Sequence, residues 1–338
     1  MKTLLLALVA TVFIAQPLFA RPRSDLDKQF VEGAKNEKKL VFYTTMELPQ
    51  TVQVVQEFVR KYPFLMIELH PVETETLVMK VQDEARSGMA GWDVVIGGGG
   101  LLQPLFEENL VASYHSPQRE AVTDALIDSN GYWSGFYINP YMLGHNINFV
   151  TREDAPKSYD ELLDPRWKGR RIAIDSTAHG LLRGLAAAWG KDKAMAYLTQ
   201  LAEQQPVMTR ASITAVESMH TGSVSMVLAR APVIEGYKKK LGSPFNLVSL
   251  EPIVAQLDAV MVSAQSPHPN ASRLFADFAL SKEGQSALGD VQQIPVRRDM
   301  EPSSQPALPG HKWFVERPDR HVNFHKSVKL FRKIFGIR

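Results

Sequence analysis

Between Leu40 and Gly100 the chain alternates short apolar runs with amphipathic stretches, and no other feature restricts its fold as strongly. Leu40-Val41-Phe42-Tyr43 is a β-rich run, after which Val52, Val55, Phe58 and Tyr62 recur at helical spacing. Pro63 stops that helix, and Leu65 to Leu69 reads as the next strand. Leu77, Val81 and Ala85 mark a second helix, ended by Gly88, and Trp92 to Ile96 is a buried strand running into Gly97-Gly98-Gly99-Gly100. Strand, helix, strand, helix, strand predicts a parallel sheet with helices on both faces, because a right-handed helical crossover brings each new strand beside the last. The fold class is α/β.

A second α/β unit follows the aromatic and β-branched stretch Tyr132 to Asn146. Arg171 to Ile174 is a strand, with Asp175-Ser176-Thr177 as the cap of a helix carrying Leu181, Leu185 and Trp189. Ala194, Tyr197, Leu198 and Leu201 give another helix, Ser223 to Ala229 another strand, and Ile253 to Ser263 a return strand before a late helix with Leu274, Phe275 and Phe278. A chain of 338 residues suits about two domains. With no repeat and no low-complexity linker, two α/β lobes predict chain crossings that act as a hinge, with a cleft between.

Lys2, the apolar run Leu4 to Ala15, Pro17 and the small residue Ala20 describe a secretory signal peptide over residues 1–20, cleaved before Arg21. The apolar run is short of the roughly 20 residues a membrane span needs. The absence of cysteine excludes disulfides, thiolate metal sites, a cysteine nucleophile and a lipidated N-terminal cysteine. A soluble periplasmic protein is expected. With 38 basic against 36 acidic residues, a net charge of +2 gives no argument for nucleic acid as a partner. The charge is uneven, since from Arg317 to Arg338 the chain carries Arg317, Arg320, Lys326, Lys329, Arg332, Lys333 and Arg338 against one acid, Asp319. There Phe324, Val328, Phe331 and Phe335 share one face of a helix, read as packed on the body with its basic face in solvent; attraction to anionic lipid or to a membrane partner is the sharper alternative. His321 and His325 stand among cations and are not read as a metal pair.

Four segments in order carry a resemblance. They are Val41-Phe42-Tyr43-Thr44-Thr45, then Ser158 to Arg170 with its Leu162-Leu163-Asp164-Pro165-Arg166-Trp167-Lys168-Gly169 core, then His268 to Gln285 ending Leu280-Ser281-Lys282-Glu283-Gly284-Gln285, then Gln293 to Arg297. Together they resemble family 1 extracellular solute-binding proteins of ABC importers, on the branch of the ferric-iron binders. The resemblance implies a type II periplasmic-binding-protein fold with a first lobe of residues 21–135 plus 260–300, a second of 136–259, and a basic tail over 301–338. It implies a monomer that closes on a small molecule by hinge motion and docks on a membrane permease, with no cofactor and no catalysis. The iron binders use a histidine after the first strand, a glutamate after the third and paired tyrosines in the second lobe. At those places this chain has Thr44-Thr45-Met46-Glu47, Gly97 to Gly100, and Arg230-Ala231-Pro232. A ferric ion needs anionic oxygen ligands, which glycines and arginine do not supply, so no metal is expected from that set; Glu47 and Tyr237 remain nearby.

The candidate ligand-binding residues lie at strand ends. Gly97, Gly98 and Gly99 read either as a flexible turn or as consecutive N–H donors at the carboxyl end of a parallel strand, where such sheets bind ligands. Thr44 and Thr45 read as helix caps that also offer hydroxyl donors, and Tyr137, with Tyr43 and Trp133, either as an aromatic wall or, as is commoner for strand aromatics, as core. Ser176, Thr177, Ala178 and His179 occupy the matching junction in the second lobe, where a helix N-terminus favours an anion. Arg210, before Ser212, and Arg230, after its strand, add guanidinium groups suited to carboxylate or phosphate. A small anionic ligand is therefore expected, with a cation held by Glu47 and Glu235 as the opposing reading. Sugar phosphates, phosphonates, carboxylates, thiamine and polyamines all stay open. Two other classes remain: a sensing partner that presents ligand to a receptor, and a secreted enzyme on the same fold, for which no Gly-x-Ser-x-Gly elbow, zinc His-Glu motif or P-loop is present.

Overall fold

The computed structural model describes residues 23–89, 91–291, 293–300, 312–319 and 324–337. The signal-peptide reading of residues 1–20 lies outside these, as do His321 and the side chain of His325. In chain order the elements are α1 (Arg23–Glu37), β1 (Lys39–Thr44), α2 (Leu48–Lys61), β2 (Met66–Pro71), α3 (Thr74–Arg86), β3 (Val94–Gly98), α4 (Gln103–Glu107) and β4 (Val111–Ala112). There follow β5 (Ser134–Asn146), β6 (Ile172–Asp175), α5 (Gly180–Trp189), α6 (Lys191–Glu203), β7 (Val207–Thr209), α7 (Ser212–His220), β8 (Met226–Arg230) and α8 (Ala231–Leu241). The last are β9 (Phe245–Val248), β10 (Ile253–Ser263), α9 (Pro269–Leu280), α10 (Lys282–Asp290), β11 (Ile294–Pro295), β12 (Trp313–Glu316) and α11 (Phe324–Phe335). No helix among the described residues is long and apolar enough to cross a membrane.

The alternation seen in the sequence becomes two parallel sheets, β2-β1-β3 and β8-β6-β7. They are joined through two long strands, β5 and β10. The first half of β5 pairs antiparallel with β10, and its second half, from Tyr141 on, pairs with β8 and β9. β10 pairs with β5 through its first half and with β3 through Asp258 to Val262. Buried apolar residues divide accordingly: one cluster draws on residues 34–137 and 257–296, and two others on residues 141–254, joined by Phe331.

Local chemistry explains the elements. Pro49 sits in the first turn of α2, where a missing N–H costs nothing, and the helix ends at Tyr62 because Pro63 disfavours helical backbone before it. Its buried face carries Val54 and Phe58. Phe58 lies 4.9 Å from Phe275 edge-on and 5.2 Å from Phe278, while Phe42 of β1 is 4.8 Å from Phe275, so α2 and α9 meet around β1 through one aromatic cluster.

Three expectations need correction. β3 runs through Gly97 and Gly98, which pair with Ala259 and Asp258, so half of the glycine run is ladder, not open turn. The helix of Leu181 starts at Gly180 and not at Ser176, since Asp175 draws residues 176–179 into a turn. Neither Thr44 nor Thr45 caps α2: its cap position is Glu47, with no side-chain bond, and Thr44 Oγ1 accepts instead from the Met46 N–H at 3.1 Å. The strand β12 has no counterpart in the sequence reading. The amphipathic tail helix, α11, packs on α5 and α6 with Phe331 fully buried, while Lys326, Lys329, Arg332 and Lys333 are exposed. Phe58→Ala should cost about 3–5 kcal/mol of unfolding free energy in urea, because the ring is fully buried among Phe275 and Phe278.

Candidate ligand-binding cleft

Residues two apart on a strand share a face. On β5 that places Tyr137, Asn139 and Tyr141 together, and on β10 Gln256 and Asp258. The ladder then sets Tyr137 and Gly98 opposite Asp258, Asn139 opposite Gln256, and Tyr141 opposite Arg230. A polar row thus crosses the strands that join the lobes. Gly98 is demanded by the close approach: a Cβ there would lie 2.5 Å from the Leu257 carbonyl oxygen and 2.8 Å from Gln256 Nε2.

The row is internally bonded. Asn139 Nδ2 donates to Asp258 at 3.3 Å, Gln256 Nε2 reaches both oxygens of Asp258 at 3.3–3.4 Å, and Tyr137 stands opposite the same carboxylate in the ladder. Arg230 Nη2 donates to Gln256 Oε1 at 3.4 Å, and its guanidinium lies 5.9 Å from the Tyr141 ring centre. Its Nε is buried with no hydrogen-bond partner among the described residues. Burial pushes the Asp258 carboxyl up to about 6, against the pull of Arg230, Asn139, Gln256 and Tyr137. Burial also raises Tyr137 and Tyr141, so both remain neutral phenols.

Beside Arg230, on the strand that neighbours β8, Asp175 ends β6 at 1% exposure and organises its neighbours. It accepts from Thr177 N at 2.8 Å, Thr177 Oγ1 at 2.7 Å and Ser212 Oγ at 2.5 Å, and Ser212 Oγ in turn accepts from Arg230 N at 3.1 Å. Ser176 N donates to the Thr209 carbonyl and Ala178 N to that of Asp175. The turn that looked like a set of open donors has therefore spent Ser176, Thr177 and Ala178 on the protein itself. His179 Nδ1 accepts from Arg183 at 3.4 Å; burial, then the charges of Arg183, Arg230 and Arg332, hold its imidazole down to about 3, neutral at all ordinary pH. Arg183, 5% exposed, bonds Glu316 of β12 at 2.5–2.6 Å, and the Gly100 N–H makes a long 3.4 Å contact to the same carboxylate.

The remaining candidates scatter. Thr45 lies with its hydroxyl and methyl 3.3 Å from where a Gly97 Cβ would be, and Gly99 turns the chain at φ +80°. Arg210 is exposed at the end of the edge strand β7 and makes no ion pair among the described residues. Tyr43 turns away toward α3, donating to Glu84 at 2.8 Å, and so leaves the expected aromatic wall. Glu47 is exposed, and Tyr237 packs edge-on to His220 at 5.7 Å. Among the described residues no group of three or more His, Asp or Glu side chains is placed to hold a metal ion. Asn139, Tyr141, Arg183, Gln256, Asp258 and Glu316 escaped the sequence reading, which has Asp175 only as part of a helix cap. For four of them a signal existed: polar or aromatic residues spaced by two inside the otherwise apolar runs 134–146 and 253–263.

Because the Asp258 carboxyl holds its proton more tightly folded than unfolded, its contribution falls as pH rises from about 4 to about 6. The Tm of Asp258→Asn relative to wild type should therefore climb over that window and level off above it. A flat or falling difference in thermal melts taken at each pH contradicts the assignment.

Comparison with known proteins agrees with this architecture. Residues 53–311 match the family model described as bacterial extracellular solute-binding protein. An uncharacterised protein of Haemophilus influenzae is 26% identical over 292 residues, covering 81% of this chain and 83% of that one. Iron-bound HitA from Pseudomonas aeruginosa superposes with a TM-score of 0.74 at 21% identity, covering 88% of this chain and 99% of HitA. AfuA from Actinobacillus pleuropneumoniae, with fructose-6-phosphate bound, gives 0.70 at 21% identity, covering 88% and 96%. With its type II periplasmic-binding-protein fold, the chain belongs to the bacterial extracellular solute-binding protein family, which captures small molecules for delivery to ABC permeases.

Proposed function

We propose that this protein is exported to the periplasm by its N-terminal signal peptide, acts as a monomer, and closes its lobes on a small solute that carries an anionic group. The supporting observation is Arg230: a half-buried guanidinium at the junction of β8 with β5, whose Nε is buried and satisfied by no described residue. An arginine so placed is positioned to grip a carboxylate or phosphate oxygen, while Asn139, Gln256 and Asp258 beside it are suited to hydroxyl groups. AfuA, which has fructose-6-phosphate bound on the same fold, is in keeping with such a solute. We propose binding without turnover, in keeping with Asp175 and Asp258, which both spend their oxygens on neighbouring side chains.

The solute class is testable by thermal shift over sugar phosphates, phosphonates, dicarboxylates, thiamine and polyamines. A true ligand at 100 times its Kd adds about 2.7 kcal/mol. Arg230→Ala should then lose about 30-fold or more in affinity by calorimetry, the range for truncating a desolvated charge contact. Arg210→Ala, at an exposed position, should change affinity only a few-fold. A response confined to cations, or normal binding by Arg230→Ala, overturns the reading.

A further inference from the structure

From Arg317 to Arg338 the chain carries seven basic residues against one acid, and that acid, Asp319, is already held by Arg317 at 3.0–3.1 Å. The whole chain is only +2, so everything before this segment is net acidic. Within the segment, α11 lies on α5 and α6 and turns Phe331, fully buried, into the second-lobe cluster, with Leu330, Ile334 and Phe335 packed beside it. At about 100° of rotation per residue, Lys326, Lys329, Arg332 and Lys333 fall within an arc of roughly 120° on the other side of the helix. All four are exposed and make no ion pair among the described residues. The apolar face of this amphipathic helix is thus occupied by the protein's own body, and what it offers outward is charge alone. Three of the four cations are lysines, whose hydrated ammonium groups on flexible stems suit a diffuse anionic plane better than the fixed fork of a carboxylate pair.

We propose that the outer face of α11 is a docking surface for an anionic phospholipid bilayer, met through Lys326, Lys329, Arg332 and Lys333. Such a surface attracts this helix and repels the net acidic remainder of the chain, so the contact has one preferred orientation. Contact is peripheral, because no apolar face is left to insert, and it weakens with salt, because the attraction reaches only about a Debye length of roughly 8 Å at physiological ionic strength. Arg332 is also one of the charges that hold the His179 imidazole down, which sets this face beside the second-lobe wall of the cleft. A family that delivers its solutes to membrane permeases gains from being concentrated, in one orientation, at the membrane plane.

The test is flotation of the chain from Arg21 onward with vesicles of phosphatidylcholine, with and without phosphatidylglycerol. Wild type should float only with the phosphatidylglycerol vesicles and should be released as salt is raised. Combining Lys326→Gln, Lys329→Gln and Lys333→Gln should weaken partitioning on the order of 100-fold, since each cation at such a surface is worth about fivefold. Combining Lys238→Gln, Lys239→Gln and Lys240→Gln removes the same charge from exposed positions on α8 and should change partitioning only a few-fold. Should either triple variant fail to fold, the lipid and salt dependence of wild type decides. Equal flotation with neutral vesicles, indifference to salt, undiminished binding by the α11 variant or an equal loss in both variants overturns the proposal. So does binding to polyglutamate without binding to the vesicles, which would assign the face to an acidic protein. Arg230→Ala should float as wild type does, so the solute reading and the docking surface stand or fall separately.

Discussion

Two strands that belong to both lobes at once set the terms for everything else in this molecule. β5 gives one half of its edges to β10 and the other to β8 and β9, and β10 passes from β5 to β3 in the same way. A backbone N–H or C=O in such a strand cannot be left unpaired when buried, so the lobes are tied by ladder bonds that no rearrangement of side chains can relax. The same pairing carries the chemistry. Since register decides which side chains share a face, it places Tyr137, Asn139, Tyr141, Gln256 and Asp258 in one row and leads that row to Arg230.

Burial makes this row expensive and specific. Arg230 between Asp258 and Asp175 is a charge network that cannot be justified as ordinary stabilisation, because desolvation of buried ions rivals their attraction. The upward shift of Asp258 shows that burial outweighs the arginine beside it. Such a network finds a reason in the recognition role proposed for Arg230. The Asp175 cluster is of another kind: its three hydrogen bonds shape the turn at residues 176–179, and a site is built around it more than by it.

The fold was legible because it depends on local periodicity. The spacing of Val52, Val55, Phe58 and Tyr62, the stop at Pro63 and the apolar run ending at Ile96 each act within a dozen residues, and the structure follows them with boundary shifts of a few positions. Where local reasoning erred, a distant partner intervened: Asp258 and Ala259 drew Gly97 and Gly98 into a ladder from more than 150 residues away.

The sequence by itself determined two α/β units, a return strand between them, the strand-end location of Arg230, and the family. The tertiary structure alone decided which polar groups meet. Arg183 and Glu316 are 133 residues apart and carry no mutual signal, yet they form a largely buried ion pair because β12 lies along β10. Strand pairing is blind to chain distance, whereas helical and strand periodicity is not, and that difference separates what could be read along the chain from what had to be seen folded.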